Sequence, residues 1–197
     1  MLALSPDCLE NSRAMLLPLE EVHVQDLCTI GLDPAIWTFT TALNRTPEDM
    51  RRYVEHALEE RALGRCLPYV IYDKIDGMLA GCTRFMNLTP EHKRTEIGST
   101  WYSISYQGSG LNRHVKFLML SFGFEVLDLN RIEFKTDSRN ERSMWAIEKM
   151  GAKQEGIFRR HWINPDGYVR DTVYYSILKE EWPQTREAFF ADVLTVN

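Results

Sequence analysis

The sequence lacks the features that mark secreted, membrane-spanning and nucleic-acid-binding proteins. Its four cysteines are Cys8, Cys28, Cys66 and Cys82. Because they form no CxxC pair, they predict neither a disulfide framework nor a zinc site. No apolar run reaches the length of a transmembrane helix, and the net charge of −5 offers no basic surface for nucleic acid. We therefore expect a cytoplasmic protein without a metal, a membrane segment or a nucleic-acid partner.

The remaining composition is typical of a globular protein. The chain has 197 residues, of which 44% are hydrophobic and 26% are charged. This length is sufficient for one well-packed core, and no linker, repeat or low-complexity segment divides the chain. We expect a single domain over residues 1–197, with its core over about 17–182 and a C-terminal helix over about 183–194.

A glycine-rich turn lies between a predicted strand and a predicted helix. Residues 107–112 read Gln-Gly-Ser-Gly-Leu-Asn. β-Branched and aromatic residues over 95–105 predict the strand, and an apolar stripe that starts at Leu111 predicts the helix. Free backbone amides at a helix start attract anions, and glycines let the backbone approach a ligand closely. The turn therefore predicts an anion site, in particular one for a phosphate.

Two familiar phosphate motifs do not fit this turn. A Walker loop requires Lys and then Ser or Thr after its second glycine, where Leu111 and Asn112 stand. A dinucleotide motif requires a third glycine where Arg113 stands, although Glu133 lies at a tolerable distance downstream. Too little βαβ sequence follows the turn for that fold. The remaining interpretation is a pyrophosphate turn of the kind that acetyltransferases use for coenzyme A.

Three further segments surround this turn in the sequence: 96–98 (Glu-Ile-Gly), 140–143 (Asn-Glu-Arg-Ser) and 148–152 (Glu-Lys-Met-Gly-Ala). Together with the turn they resemble the GNAT superfamily of acetyl-CoA-dependent N-acetyltransferases, and within it the RimJ/RimL-like branch. The resemblance implies acetyl transfer from acetyl-CoA to a primary amine by direct attack in a ternary complex. The acceptor it implies is a protein or peptide N-terminus or a small amine. Asn112 departs from the pattern, because family members commonly carry Gly or Ala there.

The order of predicted elements is that of an α/β (α+β) fold. We expect strands over 14–18, 67–74, 78–87, 95–103 and 131–136, with two more flanking the turn at 164–167. Helices are expected over 19–30, 47–62, the segment after the turn, 140–150 and from Pro183. This order agrees with the GNAT acyl-CoA N-acyltransferase fold, a mixed central sheet of about seven strands flanked by helices.

The resemblance also implies a set of coenzyme A contacts along the strand, the turn and the following helices. These are Trp101, Tyr102, Ser103, Gln107, Gly108, Ser109, Gly110, Leu111, Asn112, Arg113, Asn140 and Ser143. Each side chain also has an ordinary structural alternative. Trp101 suits a core position, Asn140 suits a helix N-cap, and Arg113 suits a solvent-facing helix position.

Two residues are candidates for proton transfer. Glu96 stands where several family members carry a catalytic glutamate, so the resemblance implies a general base that acts through a water molecule. Its alternative is a salt-bridged carboxylate at the start of a strand. Many GNAT enzymes place a thiolate-protonating tyrosine where Ile147 stands here. Ser143 is therefore the candidate acid, and its alternative is an ordinary residue in the first turn of a helix.

The acceptor site is expected in the early part of the chain. Trp37, Phe39 and Phe85 are the candidate substrate residues, with core packing as the alternative for each. A second functional hypothesis is a catalytically silent acyl-CoA-binding sensor or interaction module, which the missing tyrosine at Ile147 favours. Because many relatives are dimers, the resemblance also implies a possible homodimer.

Overall fold

The computed structural model describes residues 8–194. These residues form eight strands, β1 to β8, with the bounds Leu9–Glu10, Ala14–Pro18, Leu67–Asp73, Met78–Thr89, Arg94–Tyr102, Arg131–Asp137, Lys153–Ile163 and Val169–Leu178. They also form five α-helices, α1 to α5, with the bounds Val24–Gly31, Pro47–Ala62, Leu111–Ser121, Glu141–Glu148 and Trp182–Leu194. A single π-helical turn, Phe122–Val126, extends α3.

The eight strands form one sheet in the order β1-β2-β3-β4-β5-β6-β8-β7. Only β5 and β6 are parallel, and every other neighbouring pair is antiparallel. The predicted mixed sheet flanked by helices is therefore confirmed. The strand beyond the expected seven is β1, which has only two residues and which the period-2 hydrophobic pattern cannot reveal.

Hydrophobic residues are buried on both faces of the sheet. On β3, Tyr69 and Ile71 belong to one cluster and Val70 belongs to the other, as expected when successive side chains point to opposite faces. The first cluster includes residues of α3 and α5, and the second includes residues of α1 and α2. In α5, Phe190 is fully buried, so the hydrophobic core extends beyond residue 182.

Local sequence signals determine the start of α2. Thr46 accepts a hydrogen bond from the Asp49 amide, and the Asp49 side chain accepts one from the Thr46 amide. Pro47 occupies the first helical position, where its missing N–H has no cost. The predicted helix over 47–62 agrees with the observed bounds.

The parallel pair β5–β6 is much shorter than its two strands. Only Arg94–Glu96 pair with Arg131–Glu133, and the strands diverge beyond that point. On its other side β5 remains paired with β4 as far as Tyr102. The register of that pair shifts next to Ser99, which has a φ of 46°. The divergence opens a cleft in the middle of the sheet, whose wide end lies toward the glycine-rich turn after β5.

Candidate active site

The glycine-rich turn has the backbone geometry of an anion site. Gly108 and Gly110 have φ values of 77° and 88°, a left-handed conformation that favours glycine. Within residues 8–194, the amides of Gly108, Gly110 and Asn112 donate no hydrogen bond. Because Gly110 is the N-cap of α3, these amides lie at the positive end of that helix. The predicted site thus has both free donors and a favourable dipole.

Side chains hold the turn in this shape. The Ser109 hydroxyl donates to the Tyr106 carbonyl at 2.8 Å, and the Gln107 side-chain amide donates to the Tyr102 carbonyl at 3.2 Å. The Arg13 guanidinium donates to the Ser109 carbonyl at 2.9 Å. Sequence reasoning missed Arg13, since its contact with the turn spans 96 positions of the chain and leaves no local signal.

The polar residue at position 112 has a structural partner. The Tyr102 hydroxyl donates to Asn112 Oδ1 at 3.1 Å, which joins the end of β5 to the first turn of α3. Burial raises the pKa of Tyr102 well above its usual range, so this phenol stays protonated as a donor. The departure from Gly or Ala at this position therefore supplies an internal hydrogen bond and leaves the Asn112 backbone amide free.

Helix α4 also approaches the turn. Arg142 Nη1 donates to Gln107 Oε1 at 2.5 Å, so the N-terminus of α4 is fixed beside the glycines. Asn140 Oδ1 accepts a hydrogen bond from the Ser143 amide at 3.1 Å, which is the N-cap arrangement. Within residues 8–194, neither Asn140 Nδ2 nor the Ser143 hydroxyl makes a hydrogen bond. Both groups thus remain available near the turn.

Several predicted coenzyme A contacts are already engaged with the protein. Arg113 forms an ion pair with Asp192 at 2.7 Å. The Leu111 side chain is fully buried, and the Ser103 hydroxyl lies 3.0 Å from that of Ser105. Trp101 is 4% exposed, and its indole N–H donates to the Tyr53 hydroxyl at 3.2 Å. The Trp101 side chain therefore belongs to the core, and only its backbone lies on β5 beside the cleft.

Glu96 is located where β5 and β6 begin to diverge. The residue is 8% exposed, and its Oε2 accepts hydrogen bonds from Asn87 Nδ2 at 2.9 Å and from Lys135 Nζ at 2.8 Å. Burial alone would lower the pKa of Lys135, but the charge of Glu96 and its hydrogen bond raise it, so Lys135 stays charged. The other carboxylate oxygen, Oε1, has no hydrogen-bond partner within residues 8–194.

A polar surface extends from Glu96 across β6 and β8. The register pairs Lys135 with Tyr174 and Asp137 with Thr172, so the alternating side chains Lys135, Asp137, Arg170 and Tyr174 share one side of the sheet. We call this surface, with Glu96, the polar face. Lys135 Nζ lies 4.8 Å from the centre of the Tyr174 ring.

Only one of the three predicted substrate residues lies beside the polar face. Phe39 is half-buried, and its ring centre lies 5.7 Å from the guanidinium carbon of Arg139, whose other ring contact is Tyr168 at 3.3 Å. Trp37 and Phe85 have the alternative environment, core packing. Trp37 is 2% exposed and packs on Trp101, and Phe85 is fully buried in the main core. Aromatic residue type alone does not separate a core side chain from one that lines a groove.

The described residues contain no cluster of three or more metal-ligating side chains. Among them there is also no helix with the length and apolarity required to cross a bilayer.

Comparison with known protein families decides the assignment. The model of the acetyltransferase (GNAT) domain matches residues 13–153, which is well over half of the chain. The chain belongs to the GNAT acetyltransferase family. This GNAT segment includes β2 to β6, the turn and α3, so it contains both walls of the cleft.

Individual relatives agree with this assignment. A crystal structure from T. thermophilus, described as a "putative acetyltransferase", is 34% identical, covers 98% of this GNAT chain and 100% of its own, and superposes with a TM-score of 0.87. The Bacillus subtilis (strain 168) protein named "Putative ribosomal N-acetyltransferase YdaF" is 34% identical over 54% of this chain and 57% of its own. The spermidine N(1)-acetyltransferase of Escherichia coli (strain K12) is 29% identical over 54% of this chain and 56% of its own.

The alignments with these two curated relatives span little more than half of either chain. The ribosomal name of the first agrees with the resemblance of this GNAT chain to the RimJ/RimL-like branch. The spermidine enzyme acts on a different class of amine, so the two names leave the acceptor open.

Proposed function

We propose that the protein is an acetyl-CoA-dependent N-acetyltransferase that acts on a primary amine. The observation that carries this proposal is the cleft between β5 and β6, whose wide end meets the free amides of Gly108, Gly110 and Asn112. These features suit the two parts of the cosubstrate. The amides are donors for the pyrophosphate, and the unpaired backbone edge of β5 suits the amide-containing pantetheine arm.

The residues beside the cleft have the groups that acetyl transfer requires. The acceptor must be a neutral amine, because an ammonium has no lone pair to attack the thioester carbonyl. In the proposal, Glu96 Oε1 removes a proton from the amine through a water molecule. The new C–N bond forms and the C–S bond breaks, and the Ser143 hydroxyl relays a proton from solvent to the departing thiolate, so that the serine itself stays protonated. Asn140 Nδ2 is a donor for the pantetheine.

Lys135 has a supporting role in this scheme. Its ammonium holds Glu96 Oε2, so the carboxylate is kept in one orientation with Oε1 free. Two acceptor classes remain within the proposal: a peptide N-terminus, as the name of YdaF suggests, and a small amine, as the spermidine enzyme suggests. A cytoplasmic location and a homodimer stay predictions, and sedimentation velocity tests the second.

Cosubstrate binding is the first test. Calorimetric titration with acetyl-CoA should give saturable binding, with dephospho-CoA and ATP as controls for the adenine nucleotide and its phosphates. A folded sample that does not bind acetyl-CoA would refute the pyrophosphate site and the activity together.

Catalysis is tested by thiol release from acetyl-CoA against a panel of peptides and small amines. Glu96→Gln should reduce turnover and leave the dissociation constant of acetyl-CoA unchanged. The matched control is Glu91→Gln, which removes a carboxylate from the exposed turn between β4 and β5. Equal rates for Glu96→Gln and the wild type from pH 6 to 9 would remove Glu96 from the mechanism. Thiol release by the wild type also excludes the catalytically silent module.

A further inference from the structure

One buried cation on the polar face has no partner. Arg170 is 7% exposed, and its guanidinium makes no hydrogen bond or ion pair within residues 8–194. A buried charge without a partner is costly, so proteins keep such groups rarely and mostly at functional sites. Arg170 therefore requires an explanation that the internal contacts of the protein do not provide.

The neighbouring charges are already balanced. Lys135 pairs with Glu96 at 2.8 Å, and Arg139 pairs with Asp137 at 2.9 Å. Arg139 donates to both oxygens of Asp137, and Asp137 forms no hydrogen bond or ion pair with Arg170. These two ion pairs leave the Arg170 guanidinium without an ion-pair partner of its own on the polar face.

The guanidinium lies within electrostatic reach of the proposed reaction centre. The charges of Asp137 and Glu96 both act on Arg170, although neither forms an ion pair with it. Arg170 is located on β8, two residues before Thr172 on the same side of the sheet. An acceptor whose amine lies at Glu96 would therefore extend over the polar face toward Arg170.

Three other polar atoms on the β7–β8 hairpin are also buried without a partner. They are His161 Nδ1, Thr172 Oγ1 and, in the hairpin turn, the acceptor Asn164 Oδ1. Burial and the charges of Lys135 and Arg170 lower the pKa of His161, so its ring is neutral at physiological pH and can donate one hydrogen bond. Three hydrogen-bond donors without a partner in the described protein therefore lie on this hairpin: the Arg170 guanidinium, the Thr172 hydroxyl and the neutral His161 ring. Such a set of donors suits an anion.

We propose, on the basis of the proposed acetyltransferase activity, that the acceptor carries a carboxylate beside its amine and that Arg170 binds this carboxylate, with His161 as a second donor. A guanidinium fits the two oxygens of a carboxylate in a bidentate arrangement. The single negative charge of a carboxylate matches the single positive charge of this guanidinium. Arg170 is then a specificity residue, which binds the acceptor but does not take part in the transfer.

The carboxylate has two sources, and paired acceptors distinguish them. A free amino acid brings its own α-carboxylate, and alanine, methionine and phenylalanine are compared with their amides. A peptide brings an acidic side chain, and Ser-Ala-Asp-amide is compared with Ser-Ala-Asn-amide. Because the amide derivatives have a less basic amine, the measured quantity is the ratio of kcat/KM for acid to amide in each variant relative to the wild type.

Arg170→Gln is the test variant. It should lower the acid-to-amide ratio about 10- to 100-fold, the usual effect of losing a charge-assisted pair. Arg170→Lys should restore the ratio in part. The matched control is Arg51→Gln, which removes the same charge from an exposed position on α2 and should leave the ratio unchanged. An equal ratio in the wild type and Arg170→Gln would overturn the inference.

A binding experiment separates this inference from the proposed activity. Each acid and amide is titrated into the wild type and Arg170→Gln in the presence of coenzyme A, which cannot transfer an acetyl group. Acid-selective binding that Arg170→Gln abolishes supports the carboxylate site even if no acceptor is acetylated. Binding of acid and amide with equal affinity, or acid-selective binding that persists in Arg170→Gln, overturns it. Thermal unfolding of each variant verifies that the protein is folded.

Discussion

Lys116 is a buried amine without a counter-charge. It is located on α3 and is 5% exposed, and its Nζ donates to Thr100 Oγ1 at 2.6 Å. Thr83 Oγ1 lies 3.5 Å from the same nitrogen, and no carboxylate within residues 8–194 pairs with it. Burial lowers the pKa of Lys116 to about 7. We predict that Lys116→Met stabilises the protein at neutral and acidic pH.

The size of this effect follows from the difference in proton affinity between the two states. The pKa falls from 10.5 in the unfolded chain to about 7 in the folded protein. A tenfold change in proton affinity corresponds to about 1.4 kcal/mol, so the charged amine costs on the order of 5 kcal/mol. Above pH 10.5 the lysine is neutral in both states and costs nothing. Between pH 7 and 10.5 only the unfolded state is protonated, so the free energy of unfolding rises with pH.

Chemical denaturation from pH 6 to 10 measures this dependence. Lys116→Met should raise the free energy of unfolding by several kcal/mol at pH 6 and flatten its rise with pH. The two hydroxyls that Lys116 contacts lie 2.7 Å apart and keep each other as partners. The control is Lys153→Met, whose side chain is 72% exposed, and it should leave the pH profile unchanged. If the free energy of unfolding has the same pH dependence in the wild type and in Lys116→Met, folding does not lower the pKa of Lys116 and the reasoning is refuted.

Three further substitutions test packing, charge and capping by the free energy of unfolding. Gly81→Ala should destabilise by more than about 2 kcal/mol, because a Cβ there would lie 2.0 Å from the Trp101 carbonyl oxygen. The control is Gly156→Ala, where the added Cβ would have no atom within 4 Å, and it should be nearly neutral. Equal losses of stability in Gly81→Ala and Gly156→Ala would refute the packing argument. Arg170→Leu should raise the free energy of unfolding by about 1–3 kcal/mol, because it removes an unpaired buried charge. A lower free energy of unfolding would show that Arg170 stabilises the fold. Thr46→Ala should cost about 1 kcal/mol, and no change would mean that the cap of α2 is dispensable.

The sequence predicts best what depends on local interactions. The start of α2 could be located because Thr46, Pro47 and Asp49 act within one turn of the helix. The left-handed backbone of the turn could be predicted because Gly108 and Gly110 favour this geometry by themselves. In both cases the residues that predict the local structure also make its contacts or adopt its backbone conformation.

Contacts between distant segments could not be predicted in the same way. Nothing near Arg13 indicates that it holds the Ser109 carbonyl, and nothing near Glu96 indicates Lys135 as its partner. The same limit applies to Phe85, for which the sequence leaves the acceptor site and the core open. Its place in the core depends on how β4 packs against the π-helical turn, where its ring lies 6.0 Å from that of Phe122.

The short pairing of β5 with β6 gives the sheet a second pair of edges inside the protein. Outer edges are exposed to other chains, and proteins protect them from aggregation. The inner edges, beyond Glu96 and Glu133, are flanked by strands on their other sides, so a narrow molecule is the natural partner for their backbone groups. Amides that no strand protects exchange with solvent deuterium faster than paired ones. Hydrogen exchange over Ile97–Tyr102 therefore reports directly whether the cleft is filled, without any need for turnover.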